Sequence, residues 1–337
     1  MKVLCDREQL REALSLATSV IPVKSTRPAI ENVYLAATDQ ALELVGTDLE
    51  VAIRYRIDEV KVEEPGTTLV PARVTADFVR DLSGETLTLE TRGESFHIES
   101  GADSCELTTV DPDEFPVVAR FSDKGALSIE AQTFTRLVNR TGFAAAREQG
   151  RYAMHGILTM VEDGVLRMVA TDGRRLAVAS SPIEMNGEST LKAIVPTKGM
   201  QLFCRVIDDP KEEVKIHFGD NQIGLKTARA EIFARLIDGE FPRYSAVIPA
   251  SAENVIEANT ELFAKKLRLV ANVTSTDMRA VRLSVTKGQM TIYGRSVSTG
   301  VATAHMEVDF KGKPGDIAFN PDYMIEGLKN CESETVR

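Results

Sequence analysis

Two short stretches hold the residue types best able to do chemistry. "VATDGRRLAVA", Val169 to Ala179, sets Asp172 close to Arg174 and Arg175, and "LVGTDLEVAIR", Leu44 to Arg54, sets Asp48 in a similar frame. Two such carboxylates beside guanidinium groups could hold a divalent cation and a phosphate, as a metal-dependent nuclease requires. The competing reading is structural: Thr-Asp at a hairpin tip ties a turn through side-chain to backbone hydrogen bonds. Other reactive types are dispersed. His97, His155, His217 and His305 have no partner at ligand spacing, and Cys5, Cys105, Cys204 and Cys331 stand far apart, as thiols in a reducing compartment do. Phosphate-binding glycine loops, nucleophile elbows and H-E-x-x-H are absent. The residues therefore favour a protein without a catalytic centre. Arg174 and Arg175 keep three possible uses: gripping phosphate, serving a carboxylate, or bordering a pocket for another protein.

The elements that would position these residues recur along the chain. "VPARVTADFVRDL" begins at Val70 and "VPTKGMQLFCRVI" at Val195, while "FNPDYMIEGLKNC" at Phe319 keeps the apolar spacing with its proline one place later. "GTD" at Gly46 answers "ATD" at Ala170, and "DPDEFPVV" at Asp111 answers "DGEFPRYS" at Asp238. Markers in the same order at a steady interval describe a tandem repeat. Each copy opens with an amphipathic helix, expected over Arg7–Val20, Gln132–Ala145 and Thr260–Val273. Alternating stretches follow, which read as antiparallel strands with one face on a core. A second helix is expected to open at Pro71, Pro196 and Pro321, where proline suits the first turn. Fold class is thus α+β: three tandem repeats, each of two helices packed on antiparallel sheets. The boundaries fall at 1–121, 122–250 and 251–337, and copy three, ending at Arg337, is expected to lack its last strands.

The 337 residues carry 40 basic and 50 acidic side chains, a net charge of −10, with 43% hydrophobic residues. Net acidity argues against a protein coated in nucleic acid, but the distribution of charge is what decides. Second helices carry Arg73 and Arg80, then Lys198 and Arg205, each pair seven residues apart and so on one face, with Lys329 in copy three. First helices are expected to add Arg136, Arg140 and Arg147, then Lys265, Lys266 and Arg268; Lys24 and Arg27 follow the first helix of copy one. The acids are expected to gather in strands and loops. Such a face would attract a polyanion without reading its sequence. No apolar run approaches the ~20 residues of a membrane-spanning helix, and the N-terminus lacks a signal-peptide core, so the expected location is the cytoplasm.

"MKVLCDREQLREAL", "GTDLEVAI", "TTLVPAR", "DEFP", "VATDGRRLAVA", "IVPTKG", "LIDGEFPRY" and "MRAVRL" together resemble the bacterial DNA polymerase III beta subunits, the sliding clamps, collinearly over the whole chain. The resemblance implies the DNA clamp fold and a head-to-tail homodimer closing a ring of six domains around duplex DNA. It implies no cofactor, no metal and no catalysis. By that resemblance Lys24, Arg73, Arg80, Gln149, Tyr152, Lys198 and Arg205 are candidate DNA contacts. It also implies a cleft for short linear peptides of the replicative polymerase and the clamp loader, formed by Met154, Thr171, Gly173, Arg174, Arg175, Leu176, Pro242, Val247 and Tyr323. Two departures are visible: Ala246 replaces a frequent basic residue, and the family's tail completing the cleft is not in this sequence, so weaker partner binding is expected. At the ring interface Asp103, Glu106 and Leu107 are expected to meet Val273 and Arg295, with the family's charge polarity reversed. Two rivals remain: a clamp-like scaffold that does not encircle DNA, and a nuclease built on Asp48 and Asp172.

Overall fold

The computed structural model describes residues 1–148, 150, 153–184, 190–275 and 279–337. It groups the chain into two compact units, one of residues 1–138, 155–168 and 180–239, the other of 139–154, 169–179 and 240–337. Six α-helices lie among the described residues: α1 Arg7–Thr18, α2 Ala72–Asp81, α3 Ala131–Gly142, α4 Thr197–Arg205, α5 Thr260–Ala271 and α6 Pro321–Lys329.

The first helices stop two or three residues short of the expected ends. After α3 the chain turns, and the Ala146 N–H bonds the Met154 carbonyl (2.9 Å) instead of extending the helix, which leaves Arg147 outside it. The second helices correct the proline expectation in two of three cases. Pro321 lies in the first turn of α6, but Pro71 and Pro196 are N-cap residues with ψ of 109° and 132°. Their fixed φ still suits the approach to a helix, while an extended ψ lets each also end the preceding strand.

In the first unit, the Asp6 carboxylate caps α1 by accepting the Gln9 N–H (2.9 Å), and Leu10, Ala13, Leu14 and Ala17 are buried at helical spacing. A five-stranded antiparallel sheet runs in the order Val60–Glu64, Lys2–Asp6, Thr86–Arg92, Ser95–Ser100, Asp103–Thr108. The larger sheet has eight strands and joins copies one and two. Ala230–Arg235 pairs antiparallel with Val51–Ile57, setting Ile232 opposite Ile53, so the core runs unbroken from one repeat to the next. That continuity explains why copy one and most of copy two share one compact unit. One buried charge crosses this sheet: Glu43, 6% exposed, accepts from Arg54 (3.2 Å) and Arg120 (3.1 Å). Arg54 also donates to the carbonyl of Val118 (3.1 Å), pinning the end of copy one to the sheet.

In the second unit α5 and α6 pack on a core of Phe263, Leu267, Val270, Leu283, Ile292 and Leu328. One sheet runs Gly300–Glu307, Gln289–Ser296, Val281–Thr286, Gly315–Phe319; the other runs Asp309–Lys311, Val255–Asn259, Thr335–Val336. Thr335–Val336 holds the place beside Val255–Asn259 that Thr86–Arg92 holds beside Lys2–Asp6.

Close packing fixes one repeat position in particular. A Cβ at Gly46 would lie 3.1 Å from the Ala17 carbonyl of α1, and one at Gly294 would lie 2.7 Å from Val270 of α5. Ala170 stands at the corresponding point of copy two, fully buried. Where the first helix crosses its sheet, only a small residue fits. Burial pushes the Cys5 thiol up to about 12 and the Cys204 thiol to about 11, so neither is a ready nucleophile at neutral pH.

Candidate functional site

Two groups of residues stand out, one in each unit. In the first, α2 turns Ala72, Thr75 and Val79 inward and leaves Arg73, Asp77 and Arg80 exposed; α4 turns Gly199, Met200, Leu202 and Phe203 inward and leaves Lys198 and Arg205 exposed. Apolar periodicity thus places the basic pairs on solvent faces, two turns apart. Lys24 is exposed in the loop after α1. Gln149 and Tyr152 lie outside the described residues.

The basic face is only partly free. Among the described residues Lys24, Arg73 and Arg205 have no ion-pair partner, but Arg80 donates to Asp77 (2.6 Å) and Asp81 (3.0 Å), whose carboxylates hold its pKa above the ordinary arginine value. Lys198 is ion-paired with Asp48. The expectation that acids keep to strands and loops is therefore corrected: Asp77 and Asp81 sit on α2 itself and bracket Arg80. Arg140 is likewise partnered, pairing with Glu332 (3.0 Å) in the second unit.

The Thr-Asp stretches are turns, built alike. Thr47 Oγ1 donates to the Val51 carbonyl (2.9 Å) and accepts from the Leu49 N–H (2.9 Å), while Asp48 Oδ1 accepts from the N–H groups of Glu50 (3.0 Å) and Val51 (2.7 Å). Thr171 Oγ1 donates to the Arg175 carbonyl (2.6 Å) and accepts from the Gly173 N–H (3.0 Å), while Asp172 Oδ1 accepts from Arg174 (2.9 Å) and Arg175 (3.0 Å). In each turn the second carboxylate oxygen holds a cation, Lys198 for Asp48 and Arg175 Nε (3.1 Å) for Asp172. Both carboxylates are thus already engaged. Among the described residues no three His, Cys, Asp or Glu side chains gather as a metal site would require.

The second unit separates the two adjacent arginines. Arg175 has a 15% exposed side chain, bonded to Asp172 and Glu326, with its guanidinium 4.7 Å from the Tyr323 ring centre and 5.5 Å from that of Phe143. Arg174 is exposed and donates to the Tyr323 hydroxyl (3.3 Å). The structure so brings Thr171, Gly173, Arg174, Arg175 and Tyr323 together. Leu176 lines a groove of about 930 Å³ with Val178, Phe263, Met290 and Ile317, and it is the one residue of the expected cleft that does so. Val247, 70% exposed, and Pro242 lie in the 240–248 segment, and the Met154 carbonyl holds the turn after α3. Sequence reasoning passed over Phe143 and Glu326. Glu326 sits three residues from Tyr323 on one face of α6, a spacing that could have flagged it.

Asp103, Glu106 and Leu107 lie on Asp103–Thr108, the edge strand of the five-stranded sheet, with both acids exposed. In the second unit Arg295 is exposed beside the edge strand Gly300–Glu307, and the Val273 carbonyl accepts from Thr299 Oγ1. No helix among the described residues is long and apolar enough to cross a membrane.

Comparison with known proteins places this architecture. Sequence models of the DNA polymerase III beta subunit match in chain order: its N-terminal domain over residues 1–119, its central domain over 128–243 and its C-terminal domain over 245–337. The beta sliding clamp of Pseudomonas putida is 30% identical and that of Escherichia coli K12 31% identical, each alignment covering 100% of this chain and 92% of the relative. The crystal structure of the DNA polymerase III subunit beta from Pseudomonas aeruginosa superimposes with a TM-score of 0.93 at 29% identity, over 99% of this chain and 92% of that one. The chain belongs to the DNA polymerase III beta subunit family, the bacterial sliding clamps, and is a non-catalytic processivity subunit of the polymerase.

Proposed function

We propose that two copies of this chain join head to tail into a closed ring around duplex DNA and tether the replicative polymerase in the cytoplasm. Each copy supplies three clamp domains, meeting near residues 121 and 250. The observation that carries this reading is the pair of repeat-related helices α2 and α4, each exposing two basic residues seven apart on an otherwise acidic protein. A surface of this kind holds phosphates through screened contacts and ignores base identity. Lys24, Arg73, Arg80, Lys198 and Arg205 are its DNA-facing residues, joined by Gln149 and Tyr152. Topological enclosure lets the contacts stay weak.

The ring closes between the edge strand Asp103–Thr108 of one copy and the region of Val273 and Arg295 of the other, with Asp103 and Glu106 opposite Arg295 and Leu107 beside Val273. Exposed edge strands at both places favour such pairing. Polymerase and clamp loader dock through short peptides with apolar and aromatic anchors at Met154, Thr171, Gly173, Arg174, Leu176, Pro242, Val247 and Tyr323, with Arg175 holding the site in shape.

Arg73→Ala with Arg205→Ala tests the DNA face. Removing two phosphate contacts should weaken binding to a short fluorescent duplex and flatten the dependence of log K on log salt by about 2. An unchanged slope contradicts the assignment.

A further inference from the structure

On each basic helix of the first unit one positive charge stands free and another is already occupied. Arg73 and Arg205 have no carboxylate partner among the described residues, whereas Arg80 is bracketed by Asp77 and Asp81 and Lys198 is held by Asp48. The occupants differ in freedom. Asp77 and Asp81 are exposed side chains on α2 and can rotate away. Asp48 cannot: two backbone N–H groups hold its Oδ1, its side chain is only 19% exposed, and its Oδ2 is presented to the Lys198 ammonium.

An ammonium or guanidinium bonded to a carboxylate has spent donors that a phosphate oxygen would use. We propose that Asp48, Asp77 and Asp81 are built-in competitors for DNA phosphate that set how strongly the basic face grips the duplex. The proposal rests on reading that face as DNA-facing. When Lys198 or Arg80 meets a phosphate, one ion pair is exchanged for another instead of gained. Asp48 then remains in place as a nearby negative charge, so the contact is also the easier to break. The free charges Arg73 and Arg205 attract the duplex, and the occupied ones keep each contact shallow, which suits a protein that must slide. Exposed pairs are individually weak, so each competitor modulates the grip and does not abolish it.

The experiment measures binding of the full chain to a short fluorescent duplex across a sodium chloride series. Asp48→Asn keeps the acceptor oxygen that ties the turn while removing the charge. It should tighten binding about threefold and steepen the salt slope by about 1, as one recovered phosphate contact would; Asp77→Asn with Asp81→Asn should act in the same direction through Arg80. In a Lys198→Ala background Asp48→Asn should have no effect, because the competition needs its cation. The proposal is overturned if Asp48→Asn leaves affinity and slope unchanged while Arg73→Ala with Arg205→Ala weakens binding. It is equally overturned if the Asp48→Asn gain persists without Lys198, which would make it a general charge effect. If neither the arginine nor the lysine substitutions alter duplex binding, the DNA-facing reading fails first and the competition falls with it.

Discussion

At the tip of the hairpin formed by Ala41–Thr47 and Val51–Ile57, and at the tip of that formed by Val165–Thr171 and Leu176–Pro182, a threonine and an aspartate make the same four bonds to backbone. The side chains around the tips diverge. The first hairpin carries Glu43 and Arg54 as a buried pair along its strands; Arg167 and Val178 stand at those places in the second. The second gathers its charges at the tip instead, where Arg175 binds Asp172 and Glu326 between the rings of Tyr323 and Phe143. Even the left-handed turn residue differs: Leu49 with φ 76° against Gly173 with φ 82°. A repeat preserves the bonds that shape its backbone, and the positions those bonds leave free are where copies acquire separate work.

The contrast breaks most visibly at the buried pair. Glu43→Ala takes the nearer carboxylate from the largely buried Arg54, leaving it Glu231 at 3.8 Å, and should cost about 3 kcal/mol in denaturant unfolding. Burial pushes the Glu43 carboxyl up, but hydrogen bonds and charge from Arg120 and Arg54 outweigh it, and its pKa falls below the usual value. A lowered folded pKa means the contribution is complete above the unfolded pKa of roughly 4.3 and lost as pH falls through the folded one. Unfolding measured through that acid range should show this loss in the wild type and a shallower one in Glu43→Gln. Next in size is Arg175→Ala, which removes two carboxylate partners and two ring contacts at once and should destabilise the chain by about 2 kcal/mol. Leu49→Gly should stabilise by roughly 1 kcal/mol and Gly173→Ala should destabilise by a similar amount, since the Gly173 site has open space and the penalty is backbone strain alone. Smallest is Arg174→Ala, expected to shift stability by less than about 0.5 kcal/mol. Its effect should appear in titrations with an aromatic-anchored peptide, as an affinity loss of roughly tenfold.

Features encoded locally are legible in the sequence itself. Helix positions followed from apolar spacing, the Thr-Asp turns from their own side chains, and the repeat from its recurring markers. Asp77 and Asp81 were legible too, within four residues of Arg80, but attention to basic residues alone obscured them. What sequence could not convey were partners brought together from far along the chain. Lys198 and Asp48 are 150 positions apart and Arg175 and Glu326 are 151 apart, and no periodicity links them. The strand pairing of Ala230–Arg235 with Val51–Ile57 is of the same kind, since either edge satisfies its own alternation without naming the other.

Enclosure of DNA is the claim on which the rest depends, and topology tests it without reference to affinity. The protein is incubated with a bacterial clamp loader, ATP and a nicked circular plasmid, freed of unbound protein by gel filtration at high salt, and the plasmid is then cut once. A ring held by enclosure stays with the circle and runs off the linear product. Retention on the linear DNA, or loss from the intact circle at high salt, would contradict the account.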